Sequence, residues 1–296
     1  MLDRIAVIGS LNVDNVTYTN NPPAPGKTVF GNNFMSNVGG KGANQAIAVK
    51  FLGGDAIFFG VRGKDSNGDF ASKFLSDNGL RFYLKRVDIP TGVSNIIINE
   101  NNGENSIICV PGANLSLVKD DVDFWMPKIK ECKILITQLE TSIEPVLYAL
   151  EKAKNEGLIT ILNPAPFHEF DMKTMRFLDY FIPNEHELND CVKGNEDVET
   201  KAKKLLEFGC KNVIVTLGEK GSVLVNKDGV NYVEAHKVKA IDTTGAGDSY
   251  IGAFAKALLD GKDTIEAMKF ASYCSSLTVQ KRGAIISLPK LEDLNY

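Results

Sequence analysis

The amino-acid sequence predicts an α/β protein with a doubly wound, mostly parallel sheet that is flanked by helices. Two observations predict this fold class. Short runs rich in valine and isoleucine recur along the chain, and each is apolar enough for a strand that is buried on both faces. Segments with the apolar spacing of a helix lie between these runs, and strands that alternate with helices are typical of βαβ units.

Six apolar runs are the predicted strands of the main sheet. They lie at residues 5–8, 56–61, 134–137, 159–162, 180–182 and 213–217. Six segments have helical spacing, at residues 42–51, 69–76, 145–155, 198–208, 246–259 and 264–279. Because no linker-like break separates these elements, we expect a single domain over residues 1–296.

Two stretches, at residues 13–37 and 91–110, do not follow the alternation of strands and helices. The first is rich in asparagine, proline and glycine. The second is typical of a hairpin, in which strands at 93–98 and 106–110 flank a turn at 101–103. We interpret both as a small β-sheet lid inserted into the domain, where it would cover a cleft and exclude water. A pair of surface loops is the alternative.

The composition excludes several classes of protein. The formal net charge is −4 and the isoelectric point is about 5.6, and without a basic cluster nucleic-acid binding is not expected. No stretch approaches the ~20 apolar residues of a membrane span. The five cysteines lack the spacing of a zinc site or a disulfide framework. We therefore expect a cytoplasmic protein with reduced thiols and no membrane contact.

Residues 240–250 are predicted to bind a phosphate group. Small residues lead into the helix that begins at 246, and Gly245 and Gly247 allow the backbone to approach a ligand closely. The first turn of this helix offers unpaired N–H groups and the positive end of its dipole, which together make an anion hole. Asp248 either caps the helix or, beside an anion hole, takes the proton from an attacking hydroxyl group.

Two other nucleotide-binding motifs are absent from the sequence. The Gly-Lys-Thr at residues 26–28 has the end of a P-loop, but Asn21 stands at the position of its first glycine. Tyr250 replaces the third glycine of a dinucleotide fingerprint that would begin at Gly245. An oxidoreductase that uses a dinucleotide is therefore not expected.

Polar residues also follow the first predicted strand, at the edge of the sheet where open α/β folds bind ligands. Asn12 and Asp14 combine an amide with a carboxylate, which suits neighbouring hydroxyl groups, although such a pair is also typical of a turn. A glycine-rich helix start that includes Gly40 presents Lys41 and Asn44. These residues are candidates for contact with a hydroxylated ligand.

Two later strands end in polar groups as well. Glu140 follows the strand at 134–137. Asn184 and Glu187 lie three residues apart at a strand-to-helix turn and so would face one way. Oxygen ligands of this kind suit Mg²⁺, which keeps most of its waters, and a carboxylate of a helix's first turn is the alternative for Glu187. The recurrence of polar groups at one edge of the sheet predicts a shared site.

Taken in order, these motifs resemble those of one family, the ribokinase (PfkB-type) carbohydrate kinases. Residues 9–14 are similar to the family's N-terminal sugar-binding motif. Residues 39–46, GGKGANQA, resemble its first signature, and residues 242–248, DTTGAGD, resemble its second. Shorter motifs follow in the expected order at 138–140, 163–166, 184–187 and 216–218. The resemblance covers nearly the whole chain.

The resemblance implies a role for each candidate residue. Asp248 would be the catalytic base, beside an anion hole formed by Gly245, Ala246 and Gly247. The sugar or the arriving phosphate would be contacted by Asn12, Asp14, Gly40, Lys41, Asn44, Glu140 and Asp248. The nucleotide site would be lined by Asn184, Thr216, Gly218, Gly221 and Gly247.

The resemblance also implies cofactors and a partner. ATP would be the phosphoryl donor, and Asn184 and Glu187 would support Mg²⁺ through water. An activating K⁺ would lie beside the anion hole, held by Asp242, Thr244, Lys281, Gly283 and Ser287, several of them through backbone carbonyl groups. The small lid would also pair two subunits into a homodimer.

The reaction that the resemblance implies is phosphoryl transfer from ATP to the primary hydroxyl group of a sugar. The favoured sugar is D-ribose, which would give D-ribose 5-phosphate, because the GGKGANQA signature and residues 138–140 favour it. Kinases for 2-deoxyribose, fructose or a nucleoside are alternatives within the family. A sugar-sensing protein without catalysis is the alternative from another class, and the intact Asp248 and anion hole argue against it.

Overall fold

The computed structural model describes residues 1–102 and 104–295, which form thirteen strands and eight α-helices. The strands are β1 (Ile5–Ile8), β2 (Asn12–Thr19), β3 (Asn33–Gly39), β4 (Ala56–Gly63), β5 (Arg81–Val87), β6 (Gly92–Asn99), β7 (Asn105–Val110), β8 (Ile134–Gln138), β9 (Ile159–Asn163), β10 (Tyr180–Phe181), β11 (Asn212–Thr216), β12 (Ser222–Asn226) and β13 (Gly229–Val233). The helices are α1 (Lys41–Phe51), α2 (Ser66–Asp77), α3 (Lys119–Ile129), α4 (Ile143–Asn155), α5 (Glu185–Cys191), α6 (Val198–Leu206), α7 (Ala246–Leu259) and α8 (Thr264–Thr278).

Nine strands form the main sheet, in the order β13-β12-β11-β10-β9-β8-β1-β4-β5. Every neighbouring pair from β11 to β5 is parallel. Only β12 and β13, at one edge, pair in the antiparallel direction. The strand order runs outwards from β1 on both sides, so the structure confirms the predicted doubly wound, mostly parallel sheet.

The sheet is buried because its strands are apolar on both faces. In β1, Ile5 and Val7 pack into one apolar layer, while Ala6 and Ile8 pack into the other. The first layer includes residues of α1, α7 and α8. The second includes residues of α3, α4 and α6. The helices therefore cover both faces and leave the strand ends to carry polar side chains.

A second sheet of four strands, called here the small sheet, has the order β3-β2-β6-β7. Strands β2 and β6 are parallel, and the two outer pairs are antiparallel. The predicted hairpin is present as β6 and β7, and the predicted turn at 101–103 includes Gly103, which lies outside the described residues. The two stretches that broke the alternation thus belong to one separate β layer.

The sequence did not predict five of these elements, namely β5, β12, β13, α3 and α5. Strand β5 lies at the edge of the sheet and is only partly buried, so charged residues interrupt its apolar pattern. Helix α3 contains Pro127 and two aspartates in its first turn, which obscure its apolar spacing. None of the helices in the described part of the chain has the length and apolar character needed to cross a bilayer.

Candidate active site

The glycine-rich start of α1 packs directly against the end of β1. Gly40 has a φ of 89°, and a Cβ atom there would lie 2.8 Å from the backbone nitrogen of Asn12 and the backbone oxygen of Ser10. A side chain is therefore excluded by both the conformation and the contact. This close approach brings the first turn of α1 beside β2.

Glu140 is fixed at this junction. One of its carboxylate oxygens, Oε2, accepts hydrogen bonds from Ser10 Oγ and, at 3.0 Å, from the backbone N–H of Lys41. The same carboxylate thus satisfies an unpaired donor of the α1 N-terminus and ties α1 to the ends of β1 and β8. Its second oxygen, Oε1, is the one left for a ligand.

Asp248 lies in the first turn of α7, which begins after Gly245, a residue with a φ of 79°. The Asp248 side chain is 7% exposed. Its Oδ2 accepts from Asn44 Nδ2 at 2.8 Å, and its Oδ1 accepts from Gln45 Nε2 at 2.9 Å. The fold therefore brings the glycine-flanked carboxylate to the first signature, about two hundred residues earlier in the chain.

Two features beside Asp248 leave room for a ligand. Asn44 Oδ1 is buried and has no hydrogen-bond partner among the described residues, so it can accept from a hydroxyl group. Gly247 is exposed, and a Cβ atom on it would have no atom within 4 Å apart from its chain neighbours. With Ala246 as the first residue of α7, the helix N-terminus is open to an anion.

Asn12 has its amide orientation set by a residue that the sequence did not predict. Asn114 Oδ1 accepts from the backbone N–H of Leu11 at 2.9 Å, and Asn114 Nδ2 donates to Asn12 Oδ1 at 2.7 Å. The Asn12 amide nitrogen therefore points the other way, towards Cys109 Sγ at 3.9 Å. No sequence signal marked Asn114, because only the fold brings it to Asn12.

Asp14 lies two residues beyond Asn12 on the same face of β2. The pKa of Asp14 is raised to about 6, chiefly by burial; a hydrogen bond from Ser94 lowers it, and the negative charges of Glu140 and Asp248 add to the rise. The negative charges of Glu140 and Asp248 therefore act on Asp14 in this pocket. A hydroxylated ligand that donates a hydrogen bond to Asp14 would offset the free-energy cost of burying its charge.

Lys41 is the cation among these acidic groups. Burial lowers its pKa, but the negative charges of Asp248, Glu140 and Glu187 outweigh burial and raise the pKa above the ordinary value. Lys41 is therefore a charged ammonium group that interacts electrostatically with Asp248, Glu140 and Glu187. A cation in this place suits a phosphoryl group in transfer.

Asn184 and Glu187 form a reciprocal cap at the start of α5. Asn184 Oδ1 accepts from the Glu187 backbone N–H at 2.8 Å, and Glu187 Oε2 accepts from the Asn184 backbone N–H at 2.9 Å. Burial raises the pKa of Glu187, while Lys41 lowers it. The Oε1 atom of Glu187 takes no part in the cap, whereas the Asn184 oxygen is engaged in it.

The residues predicted for the nucleotide site lie around the end of β11, except Gly247, which is in the first turn of α7. Thr216 pairs with Asn184 through an isolated parallel bridge. Gly218 and Gly221 belong to the turn between β11 and β12, where both have positive φ. Ser222 Oγ and the Tyr250 hydroxyl group are 2.9 Å apart. That contact ties the β11–β12 turn to α7, the helix that carries Asp248.

The predicted K⁺ residues meet beside the start of α7. Asp242 Oδ1 accepts from the Thr244 backbone N–H at 2.9 Å, and Asp242 Oδ2 accepts from the Gly283 backbone N–H at 2.9 Å. Ser287 is buried nearby, with its hydroxyl group donating to Ala284 O at 2.7 Å. This corner joins the segment before α7 to the segment after α8.

Lys281 differs from the other predicted K⁺ residues. Its ammonium group is 3.4 Å from Asp293 and has no lone pair for a cation, so Lys281 could contribute to a K⁺ site only through its backbone carbonyl group. Carbonyl and hydroxyl oxygens can replace the hydration shell of K⁺, and the residues of this corner fit that requirement. Among the described residues, no group of three or more histidine, cysteine or acidic side chains forms a metal cluster.

A cavity of about 320 Å³ separates the small sheet from this corner. Asp14 and Asn37 line it from the small sheet, and Asp242, Thr244 and Gly283 line it from the other side. The cavity extends from Asp14, a predicted sugar-site residue, to the predicted K⁺ residues. The small sheet therefore forms one wall of this cavity.

Comparison with known proteins gives relatives of the same length and fold. The chain is 38% identical over 308 residues to the ribokinase of Schizosaccharomyces pombe, covering 99% of this chain and 96% of that protein. It is 37% identical over 298 residues to the deoxyribokinase of Salmonella typhi, covering 98% and 97%. The structure of Arabidopsis thaliana ribokinase complexed with ribose and ATP matches with a TM-score of 0.89 at 30% identity, covering 99% and 97%.

A family model agrees with these relatives and with the geometry of the cleft. The model of the pfkB family of carbohydrate kinases matches residues 2–291. This range includes both sequence signatures, one around Asn44 and the other ending at Asp248, which the fold joins by a hydrogen bond. The protein therefore belongs to the pfkB family of carbohydrate kinases.

Proposed function

We propose that the protein transfers the γ-phosphoryl group of ATP to the primary hydroxyl group of D-ribose, forming D-ribose 5-phosphate. The observation that carries the proposal is the buried Asp248, held by Asn44 and Gln45 at the open N-terminus of α7. The ribokinase relatives and the ribose and ATP complex of the Arabidopsis protein support the choice of substrates.

In the proposed reaction, Asp248 accepts the proton of the attacking hydroxyl group. The backbone N–H groups of Gly245, Ala246 and Gly247 stabilise the charge of the transferred phosphoryl group. Lys41 adds a positive charge between the two ends of the cleft. The small sheet excludes water, which would otherwise compete with the sugar for the phosphoryl group.

Ribose is favoured over 2-deoxyribose by the pairing of Asn12 with Asp14. Asn114 turns the Asn12 amide so that its nitrogen remains a donor, and Asp14 is an acceptor, so the two together suit neighbouring hydroxyl groups. A site built to bind a hydroxyl group rejects an analogue that lacks it, because its buried polar groups are left unpaired. The deoxyribokinase relative makes 2-deoxyribose the second candidate.

A substrate panel distinguishes these candidates. ATP consumption is measured with D-ribose, 2-deoxyribose, fructose and a nucleoside, and kcat/KM is compared between them. We expect ribose to exceed 2-deoxyribose by at least about tenfold, the value of one well-formed hydrogen bond in a buried site. Preference for 2-deoxyribose would overturn the assignment of ribose and leave the family unchanged.

Two cations are part of the proposal. Glu187, and Asn184 through the cap that they share, would support Mg²⁺ through water, and the ion supplies charge neutralisation at the phosphates when it is bound. K⁺ would be held by Asp242, Thr244, Gly283, Ser287 and the Lys281 carbonyl group. The proximity of this corner to the start of α7 supports a role for K⁺ in ordering the anion hole.

We further propose a homodimer and a cytoplasmic location. The outer strand β7 of the small sheet exposes Ile107, Ile108 and Val110, and an apolar edge of this kind favours pairing with a second copy. The five cysteines are unpaired, which favours a reducing compartment.

The Asp248→Asn variant tests the assignment of the base. We expect turnover to fall by about 10²–10⁴-fold, the usual value of general base catalysis. ATP binding and the melting temperature should be retained, because the Asn44 amide, whose Oδ1 has no partner, can turn over and accept from the new amide group. Steady-state kinetics, calorimetric ATP binding and thermal melting measure these three properties.

The matched control is Asp260→Asn, which neutralises an exposed aspartate at the other end of α7, paired there with Lys256. Its turnover should equal that of the parent protein. Near-normal turnover in Asp248→Asn would defeat the proposed role of Asp248.

A further inference from the structure

A buried row of amide side chains connects Asp248 to the strands beneath α1. Gln45 of α1 is completely buried. Its Nε2 donates to Asp248 Oδ1 at 2.9 Å and to Asn163 Oδ1 at 3.2 Å. Its Oε1 accepts from Gln138 Nε2, at the end of β8, at 2.6 Å. Gln138, Gln45 and Asn163 are called here the amide row.

The hydrogen bonds of the amide row have only one possible direction. An ionised carboxylate has acceptor atoms alone, so Gln45 must present its NH₂ group to Asp248. Asn163 donates to the backbone carbonyl group of Ile182 at 2.9 Å, which leaves Asn163 Oδ1 to accept from Gln45. Two acceptors at its nitrogen and a donor at its oxygen thus fix the orientation of the Gln45 amide.

The amide row fills the core less favourably than apolar side chains would. Gln138 is completely buried, and its Oε1 has no hydrogen-bond partner among the described residues. A Cβ atom on Gly9 would lie 2.0 Å from that oxygen, so a glycine is needed to accommodate it. A buried oxygen without a donor is unfavourable. An apolar side chain would avoid this cost, which indicates that Gln138 serves the group it donates to.

We propose that Gln45 is a positioning residue, which Gln138 and Asn163 hold so that the Asp248 carboxylate is fixed with its free lone pairs towards the sugar hydroxyl group. The inference rests on the proposed function, in which Asp248 is the base. Asn44 holds the other carboxylate oxygen, so two neighbouring residues of α1 set both the position and the tilt of the base. A displacement of about 1 Å in a reacting group lowers the rate by about 10²-fold.

The Gln45→Met variant keeps the length of the side chain and removes its three hydrogen bonds. We expect kcat to fall by about 10- to 10²-fold. The KM for ATP should stay within about twofold of the parent value, because an interaction that matters only during the chemical step changes kcat alone. Steady-state kinetics with each substrate varied in turn measure the two quantities.

The Gln45→Glu variant separates positioning from packing. Burial and the charge of Asp248 raise the pKa of a carboxyl group at this place. Below that pKa the protonated group donates to Asp248 as the amide does, and above it the two carboxylates repel each other. At each pH, the kcat of Gln45→Glu is divided by the kcat of the parent protein. We expect this ratio to be several-fold higher at pH 6 than at pH 9.

The Gln138→Met variant disturbs the amide row without touching Asp248. We expect a loss of kcat in the same direction as for Gln45→Met but smaller. Thermal melting at both pH values shows that each variant is folded. If the Gln45 variants do not fold, an unchanged kcat in folded Gln138→Met overturns the proposal.

Two further results would contradict the inference. The first is a kcat of Gln45→Met within about twofold of the parent value. The second is an equal loss of kcat in Gln45→Glu and Gln45→Met at both pH values. That result would indicate that Gln45 acts only through packing. If instead Asp248→Asn keeps its turnover, the assignment of the base fails, whatever the Gln45 variants do.

Discussion

At the scale of single residues, the most informative group is Asp14, a carboxylate whose environment opposes its charge. Burial is the largest cause of its pKa of about 6, and Glu140 and Asp248 add to it. The ionised form is therefore less favourable in the ligand-free protein than it is in water. A sugar hydroxyl group that donates to Asp14 supplies the stabilisation that burial removes, which makes sugar binding sensitive to pH.

We expect the KM for ribose to rise as the pH falls through about 6, by about tenfold per unit once Asp14 is mostly protonated. The reason is that a protonated Asp14 no longer accepts from two hydroxyl groups. Steady-state kinetics between pH 5 and pH 8 measure the effect. In the Asp14→Asn variant the KM should be high and should lose this dependence on pH, and a parallel dependence in both proteins would contradict the role of Asp14.

The free energy of unfolding of the ligand-free protein should fall as the pH rises, whereas sugar binding should strengthen. Because the pKa of Asp14 is raised from 3.8 to about 6 in the folded protein, its contribution to stability is present below pH 3.8 and is lost as the pH rises through about 6. Asp14→Asn should therefore raise the melting temperature of the ligand-free protein at pH 7 and leave it nearly unchanged at pH 4. A lower melting temperature at pH 7 would show that Asp14 is satisfied without a ligand.

At the scale of elements, the start of α7 depends on the segment that follows α8. Asp242 connects the two through Thr244 and Gly283. The N-terminus of α7 binds an anion only if its first turn is ordered, because the N–H groups must converge on one point. In our proposal, the corner around Asp242 orders the anion hole through these hydrogen bonds.

The Asp242→Asn variant should lose its response to K⁺. In the parent protein we expect a higher rate in K⁺ than in Na⁺. In the variant we expect the same rate in both salts. That rate should be about tenfold or more below the parent rate in K⁺, because the anion hole is disordered. Lys281→Met should keep the response, because it removes only the ammonium group that pairs with Asp293 and keeps the backbone carbonyl group proposed to hold K⁺. Equal rates in K⁺ and Na⁺ for the parent protein would remove the K⁺ site.

At the scale of the whole molecule, two apolar layers share the one nine-stranded sheet, which supports our proposal of a single domain. The small sheet has two free edges, and β7 is exposed along its whole length. A free apolar edge is unfavourable in a monomer. Pairing through it would bury the edge and hold the small sheet over the cleft.

The Ile108→Glu variant tests the proposed pairing. Light scattering should give about twice the chain mass of 32.3 kDa for the parent protein and a single chain mass for the variant, because a buried unpaired carboxylate opposes association. Phe124→Glu, which changes an exposed phenylalanine on α3, is the control and should remain a dimer. A monomeric parent protein would exclude the pairing.

The sequence by itself determined the fold class and the identity of the motifs. Apolar runs of strand length between helical segments carry the α/β pattern locally, so the parallel strands of the main sheet other than β5 were predicted within a few residues, as was the β6–β7 hairpin. Strands β2 and β3 were predicted only as a β layer over residues 13–37. The signatures around Asn44 and Asp248 are likewise local, because glycines and the start of a helix are enough to mark an anion hole. Both kinds of signal need only neighbouring residues.

Tertiary structure alone decided which side chains meet. Gln45 bonds to Gln138 and Asp248, and Asn114 bonds to Asn12. These partners lie about a hundred to two hundred residues away along the chain, so no local pattern indicates them. Orientation of an amide depends on those partners, since its two ends differ only in donating or accepting. The edge strands β12 and β13 were hidden for a related reason: pairing with a neighbour, and not the local pattern, places a strand at the edge of a sheet.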